Sequence, residues 1–156
     1  MKHLLSALFA LTLFISCNSS DKDLNTPPKD YSAENDKEII DYLAKNNLTA
    51  KKTESGLYYI ITEPGTGKQP TATSSVTVAY KGYLTNGKTF DQSTTAGATF
   101  PLNKVIAGWT EGIPLFKEGG NGVLLIPAHL AYGDNNVGSI PAGSVLIFDV
   151  KLISVN

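Results

Sequence analysis

Val76-Thr77-Val78-Ala79-Tyr80-Lys81-Gly82-Tyr83-Leu84-Thr85-Asn86-Gly87-Lys88-Thr89-Phe90-Asp91 is the stretch that decides the fold. Val76, Val78 and Tyr80 alternate with Thr77, Ala79 and Lys81. A period of two sends successive side chains to opposite faces, so this segment reads as a half-buried strand. Asn86-Gly87 is a strong two-residue hairpin signal, since these residues tolerate the left-handed backbone that tight hairpin turns need. Lys88-Thr89-Phe90-Asp91 is then the returning strand, and the sheet it starts is antiparallel.

The same pattern extends both ways along the chain. Upstream, Gly56-Leu57-Tyr58-Tyr59-Ile60-Ile61 is a short β-type run closed by Pro64-Gly65-Thr66-Gly67. Downstream, Val105 to Phe116 is the one plausible helix of the domain, and it is short. Gly119-Gly120-Asn121-Gly122 reads as a turn, and Val123-Leu124-Leu125-Ile126 as a continuous apolar strand ended by Pro127. Ser144 to Ser154 is a final strand with Leu146, Phe148, Val150 and Leu152 on one face. The prediction is an α+β domain in which about five antiparallel strands wrap one short helix. Fourteen Gly and eight Pro agree with a turn-rich β chain.

Ahead of this domain the chain carries an address. Met1 to Ser16 has a short positive start at Lys2 and His3, then an apolar run from Leu4 to Ile15. That run is too short to cross a bilayer comfortably and reads as a secretory signal peptide. It ends at Ser16-Cys17, where the one Cys of the chain stands. An apolar run ending in a small residue and Cys resembles the bacterial lipoprotein box, so lipidation is expected at Cys17. The alternatives are a buried free Cys or an ordinary cleavage site. Residues 17–30 are polar, contain Pro27-Pro28 and read as a disordered tether. Its acidic residues resemble a surface-export signal of some Gram-negative lipoproteins, or form a plain spacer.

Residues 31–50 are expected to hold a short helix. Ser32 is placed as its N-cap, with acids in the first turn and Ile39, Ile40 and Leu43 on one side. Alone in water such a helix is marginal, so it docks on the main domain, pairs with a second copy, or frays.

Composition excludes several functions. Net charge is −1 and all 13 basic residues are Lys, so no basic field exists for nucleic acid. No metal constellation or nucleophile elbow is visible, and no metal or cofactor is expected. Gly65-Thr66-Gly67-Lys68 echoes a phosphate loop, but Pro70 blocks the helix that should follow, and a turn is the better reading. His129 reads as a surface loop residue. Aromatic residues without a nucleophile or metal suggest a binding module, or an enzyme that works by solvation and shape.

Three groups of motifs then carry a specific resemblance. They are the 76–91 stretch, Val105-Ile106-Ala107-Gly108-Trp109-Thr110-Glu111-Gly112, and Leu130-Ala131-Tyr132-Gly133 with Ile140-Pro141 and Phe148-Asp149-Val150. Over residues 54–156, in order, the chain resembles the FKBP family of peptidyl-prolyl cis-trans isomerases. The resemblance implies a five-stranded antiparallel half-barrel around one short helix, with the N-terminal helix as an extension and a pocket between sheet and helix. It implies that Tyr80, Phe90 and Asp91 are pocket residues of the hairpin and that Phe100 is the aromatic of the next short strand. Val105 and Ile106 would form the wall, with the Ile106 N–H offered to a substrate carbonyl, and Trp109 the floor. Tyr132 would donate its hydroxyl, Ile140 would be the apolar lip, and Phe148 the aromatic of the last strand. Asp91, Tyr132, Phe148 and Ile106 are thus the expected catalytic set. The rim departs from the family: Ala98 replaces a second aromatic, Ser139 replaces an apolar residue, and the segments between Phe100 and Val105 and between Tyr132 and Ile140 are shortened. Judged by residue type alone, Phe148 fits core or pocket equally, and a Trp109 on a short helix is usually core. Tyr80 and Tyr132 are better site candidates, because a buried Tyr hydroxyl needs a partner.

The expected activity is accelerated rotation about X-Pro bonds in envelope or exported proteins, with proline-containing polypeptides as partners and macrolides as possible inhibitors. The expected location is the bacterial cell envelope, on a membrane held by the Cys17 lipid, with the chain a monomer. The rival is a non-catalytic chaperone-like module that holds proline-containing segments in the same groove.

Overall fold

A computed structural model describes residues 27–156. The expected leader, Cys17 and most of the tether lie outside the described residues. The elements run α1 (Ser32–Lys45), β1 (Lys51–Lys52), β2 (Tyr58–Glu63), β3 (Ser75–Leu84), β4 (Thr89–Gln92), β5 (Ala98–Pro101), α2 (Ala107–Gly112), β6 (Asn121–Ile126) and β7 (Leu146–Val155). One-turn 3-10 helices fall at Leu102–Lys104, Ile113–Leu115 and Ala128–Leu130.

The strands form one antiparallel sheet in the order β1-β2-β6-β7-β3-β4, with β5 also paired to β3. β3 is the spine. One edge pairs with β7 from Val76 to Leu84, and the other is shared between β5 near its start and β4 near its end. The sheet has seven strands, which corrects the expected five. The extra two, β1 and β5, are Lys51-Lys52 and Ala98-Thr99-Phe100-Pro101. Neither is long or apolar enough to show a period, and backbone pairing with a neighbour alone makes them strands.

The hairpin between β3 and β4 is present, but its turn is longer than expected. The Leu84 N–H donates to the Lys88 carbonyl at 3.0 Å and the Gly87 N–H to the Leu84 carbonyl at 2.8 Å. Gly87 takes the left-handed conformation at φ +86°. Thr85-Asn86-Gly87 therefore forms a three-residue loop, a common alternative whose last residue must be left-handed. Asn121 and Gly122, expected in a turn, begin β6 instead, and the turn closes earlier through Gly120 N–H to the Lys117 carbonyl at 2.8 Å.

The predicted 105–116 helix is shorter as well. Val105 and Ile106 are extended, α2 covers Ala107–Gly112, and a 3-10 turn containing Pro114 follows. Two glycines set its distance from the sheet. A Cβ on Gly108 would overlap Ile126, and one on Gly112 would sit 2.8 Å from Leu124. Helix and sheet thus meet almost backbone to side chain, and the inner core forms around Leu57, Val76, Val78, Leu124, Ile126, Leu146, Val150 and Leu152.

The other sheet face is covered by α1. Ile39 and Leu43 pack on Tyr58, Leu125, Val145 and Ile147. This explains why Val123-Leu124-Leu125-Ile126 is apolar without alternation: Leu124 and Ile126 face α2 while Leu125 faces α1. Ile40, expected on the same side as Ile39 and Leu43, is instead 50% exposed, since it stands one residue, about 100°, round the helix from Ile39. Ser32 is the first helical residue rather than the cap. The Asp30 carboxylate accepts its N–H at 2.8 Å, supplying the acceptor from outside the helix. At the far end Asn47 is left-handed (φ +53°), the Leu48 N–H reaches the Leu43 carbonyl at 2.9 Å, and the Asn47 N–H reaches Ala44 at 3.2 Å. This is a Schellman stop.

Candidate functional site

On the α2 side of the sheet a cleft of about 440 Å³ opens to solvent. Its floor is Trp109, 4% exposed, on the helix that Gly108 lets approach Ile126 of β6. The Trp109 ring meets Tyr80, Phe100 and Phe148 edge to face, with centroids 5.2, 5.6 and 5.3 Å away. Such T-shaped pairs suit the ring quadrupole. The Trp109 Nε1–H is the one buried side-chain polar atom without a hydrogen-bond partner among the described residues. An unmet buried donor costs about 1–3 kcal/mol.

The sheet supplies the walls. Tyr80 projects from mid-β3 and Phe148 from β7, opposite Gly82. A side chain at Gly82 would collide with Phe90 and Phe148, whose rings stand 5.5 Å apart over it. The Tyr80 hydroxyl donates to Asp91 Oδ2 at 2.7 Å. Desolvation first, then that hydrogen bond, pushes the Tyr80 phenol up to about 12. Ser93 fixes the segment beyond Asp91, receiving the Tyr80 N–H at 2.9 Å and returning its own N–H to the Tyr80 carbonyl at 3.0 Å.

The mouth is built by loops. Lys104, Val105 and Ile106 line one side and Tyr132 another. Thr110 Oγ1 donates to the Leu102 carbonyl at 2.5 Å and ties the 3-10 turn at 102–104 to α2. The Ile106 carbonyl takes the Trp109 and Thr110 N–H groups at 2.9 and 3.2 Å. Its own N–H precedes the helix and belongs to the end that has no intrahelical acceptor. Tyr132, 36% exposed, stands on the 128–143 loop and lines the cleft.

Eight of the ten expected pocket residues therefore line this cleft: Tyr80, Asp91, Phe100, Val105, Ile106, Trp109, Tyr132 and Phe148. Phe90 does not; it stands behind Phe148 and packs on its ring. Ile140 does not either; it is 6% exposed and belongs to the inner core, with its loop turned tightly by mutual hydrogen bonds to Val137 at 2.9 Å. Sequence reading missed Lys104, a cation on the rim. Its place directly before Val105 was the available signal. It also missed Ser93, which nothing in its neighbourhood distinguishes from other loop hydroxyls.

A sequence model of the FKBP-type peptidyl-prolyl cis-trans isomerase family matches residues 66–153. The chain belongs to that family. Among curated proteins it is 48% identical over 128 residues to the FKBP-type isomerase FkpA of Aeromonas hydrophila, covering 80% of this chain and 48% of the relative. It is 47% identical over 107 residues to FkpA of Escherichia coli K12, covering 67% and 40%. The chain thus spans about half the length, or less, of the curated relatives it matches. Among solved structures, E. coli FkpA superposes with TM-score 0.71 at 41% identity, over 80% of this chain and 61% of that one. A peptidyl-prolyl isomerase from Pseudomonas syringae superposes with TM-score 0.69 at 33% identity, over 84% and 99%. As an FKBP-family fold, the chain has its aromatic cleft between the short helix and the sheet, where the family resemblance placed the pocket.

Proposed function

We propose that this protein is a peptidyl-prolyl cis-trans isomerase that speeds rotation about X-Pro bonds while envelope or exported proteins fold. The observation that carries the reading is an open cleft floored and walled by Trp109, Tyr80, Phe100 and Phe148, with polar groups at its mouth.

The chemistry needs no nucleophile. Resonance gives the imide C–N bond partial double-bond character and a barrier of about 20 kcal/mol. At the twisted transition state that resonance is lost and the group is less polar than the planar imide. A greasy cleft that replaces water therefore favours the twisted form relative to the planar one. In this reading the four rings hold the proline. The Ile106 N–H and Tyr132 hydroxyl take the flanking carbonyls, and Val105 closes the wall. Asp91 holds Tyr80 and gives the mouth a negative edge; no proton moves. Each 1.4 kcal/mol or so removed from the barrier is worth tenfold. Phe90 supports Phe148, and Ile140 supports the loop that bears Tyr132.

The test is a protease-coupled assay on an Ala-Leu-Pro-Phe anilide, with refolding of a proline-limited protein as a second substrate. Rates well above the uncatalysed reaction are expected. Background rates with suppressed client aggregation would instead favour the holding module.

Envelope placement is supported by the leader pattern in residues 1–16 and by the lipobox-like Ser16-Cys17, where we expect the lipid. Labelled palmitate should enter the wild type and not Cys17→Ala. Among the described residues no helix is long and apolar enough to cross a membrane. Macrolide inhibitors are expected to bind the floor but lose contacts where Ala98 and Ser139 shape the rim.

A further inference from the structure

We infer that Asn35, on the helix behind the sheet, is a positioning residue for the pocket: its amide pins both ends of the loop that carries Tyr132 and Ile140. The inference rests on the isomerase reading above.

Asn35 is 2% exposed and is the one buried polar residue among those described. A buried amide is costly unless it is bonded, and here both its oxygen and its nitrogen are bonded. Its Oδ1 accepts the Ala128 N–H at 2.8 Å, and its Nδ2 donates to the Gly143 carbonyl at 2.9 Å. Ala128 and Gly143 are the two ends of the 128–143 loop. The loop's own neck passes through the same residues: the Gly133 N–H reaches the Ala128 carbonyl and the Gly143 N–H the Gly133 carbonyl, both at 2.8 Å. Asn35 closes that ladder from outside.

Tyr31, one turn earlier, adds a second hold. Its carbonyl receives the Asn35 N–H at 2.8 Å, and its hydroxyl donates to Asp134 at 3.1 Å. Its ring lies so close over Gly143 that a Cβ there would overlap it. Asn35 and the N-cap residue Tyr31 therefore grip the loop at 128, 134 and 143, on both sides of Tyr132 in sequence. Docking the helix does not require this. Ile39 and Leu43 already bury the helix against Tyr58, Leu125 and Ile147. A polar residue with two loop partners adds a fixed geometry, which apolar packing does not supply.

A loop that leaves its binding-competent position for part of the time weakens apparent affinity by the competent fraction. The purified chain is compared with Asn35→Leu and with Ile39→Val, which trims one methylene from the helix's packing on the sheet and leaves the Asn35 amide in place, at a temperature where all three remain folded. On the Ala-Leu-Pro-Phe anilide, Asn35→Leu should raise KM about fivefold and leave kcat within about twofold, while Ile39→Val leaves KM unchanged. Amide exchange at Gly133, Ile140 and Gly143 should quicken about tenfold in Asn35→Leu alone. Tyr31→Phe should shift both readouts the same way, by less. A folded Asn35→Leu with wild-type KM, or with unaltered loop exchange, overturns the proposal. If the wild type shows only background isomerisation, the isomerase reading falls, and the exchange arm alone decides whether Asn35 pins the loop. If Asn35→Leu does not fold, the wild-type Ala128 amide decides. Protection equal to that of β6 and β7 supports the hold, and exchange like an exposed loop overturns it.

Discussion

At Tyr80 the hydroxyl donates to Asp91 while the ring meets Phe100, Trp109 and Phe148. One side chain is thus both wall and hydrogen-bond donor, and the two roles separate by mutation. Phe148→Ala removes a 6%-exposed ring from the core as well as from the cleft, so it should cost about 3–5 kcal/mol of stability. Asp91 is exposed, and Asp91→Ala is the cleaner probe. We expect it to lower kcat/KM about tenfold while costing only the Tyr80 hydrogen bond, about 0.5–1.5 kcal/mol, as read from the urea midpoint. Equal losses of activity and stability would reduce Asp91 to a structural role. The raised Tyr80 phenol gives a pH test. Its value in the unfolded chain is near 10.0 and in the fold about 12, so the unfolded state loses this proton first. The stabilising contribution is whole below pH 10 and is lost as pH rises to about 12. Denaturation midpoints across that window should fall less steeply in Tyr80→Phe than in the wild type.

Helix α1 resolves at the element scale what its sequence left open. Its Ile39-Leu43 stripe could have served a second copy, but it meets the outer face of the sheet, where Leu125 and Ile147 would otherwise be bare. Ile39 is fully buried there. Ile39→Ala should cost about 2–5 kcal/mol, read as a lower chemical-denaturation midpoint with an unchanged slope. Helix α2 was legible in type but not in length. Gly108 and Gly112 invite a close approach to the sheet, which the tertiary contacts with Ile126 and Leu124 reveal. Strand β1 was not legible at all and β5 only through the family resemblance at Phe100, because two lysines and a four-residue segment gain strand geometry only from the partner they pair with.

For the whole molecule, docking on the sheet buries Ile39 and Leu43 and leaves Ile40, 50% exposed, as the one large apolar residue that α1 shows to solvent. The chain from residue 18 onward should sediment as a monomer. Removing residues 18–50 bares Tyr58, Leu125 and Ile147, and the remainder should melt lower and associate with rising concentration. A truncated protein that stays monomeric and keeps its melting temperature would show that the helix contributes nothing to the fold. Charge plays a small part at this scale. The three ion pairs among the described residues, Lys29–Glu34, Lys37–Asp41 and Lys52–Asp36, all stand well exposed to solvent. Exposed pairs are screened by solvent and contribute little.

The amino-acid order by itself determined the antiparallel hairpin at 76–91, the short helix, the apolar strand at 123–126 and most of the residues that meet in the cleft. These rest on local period, turn chemistry and recognisable motifs, which are properties of neighbours in the chain. Tertiary structure alone decided that Ile140 faces the core, that Phe90 backs Phe148, and that Asn35 reaches across to Ala128 and Gly143. Those contacts join segments far apart in sequence. Their partners are set by how the sheet curls and where the helices dock, which no window of residues contains.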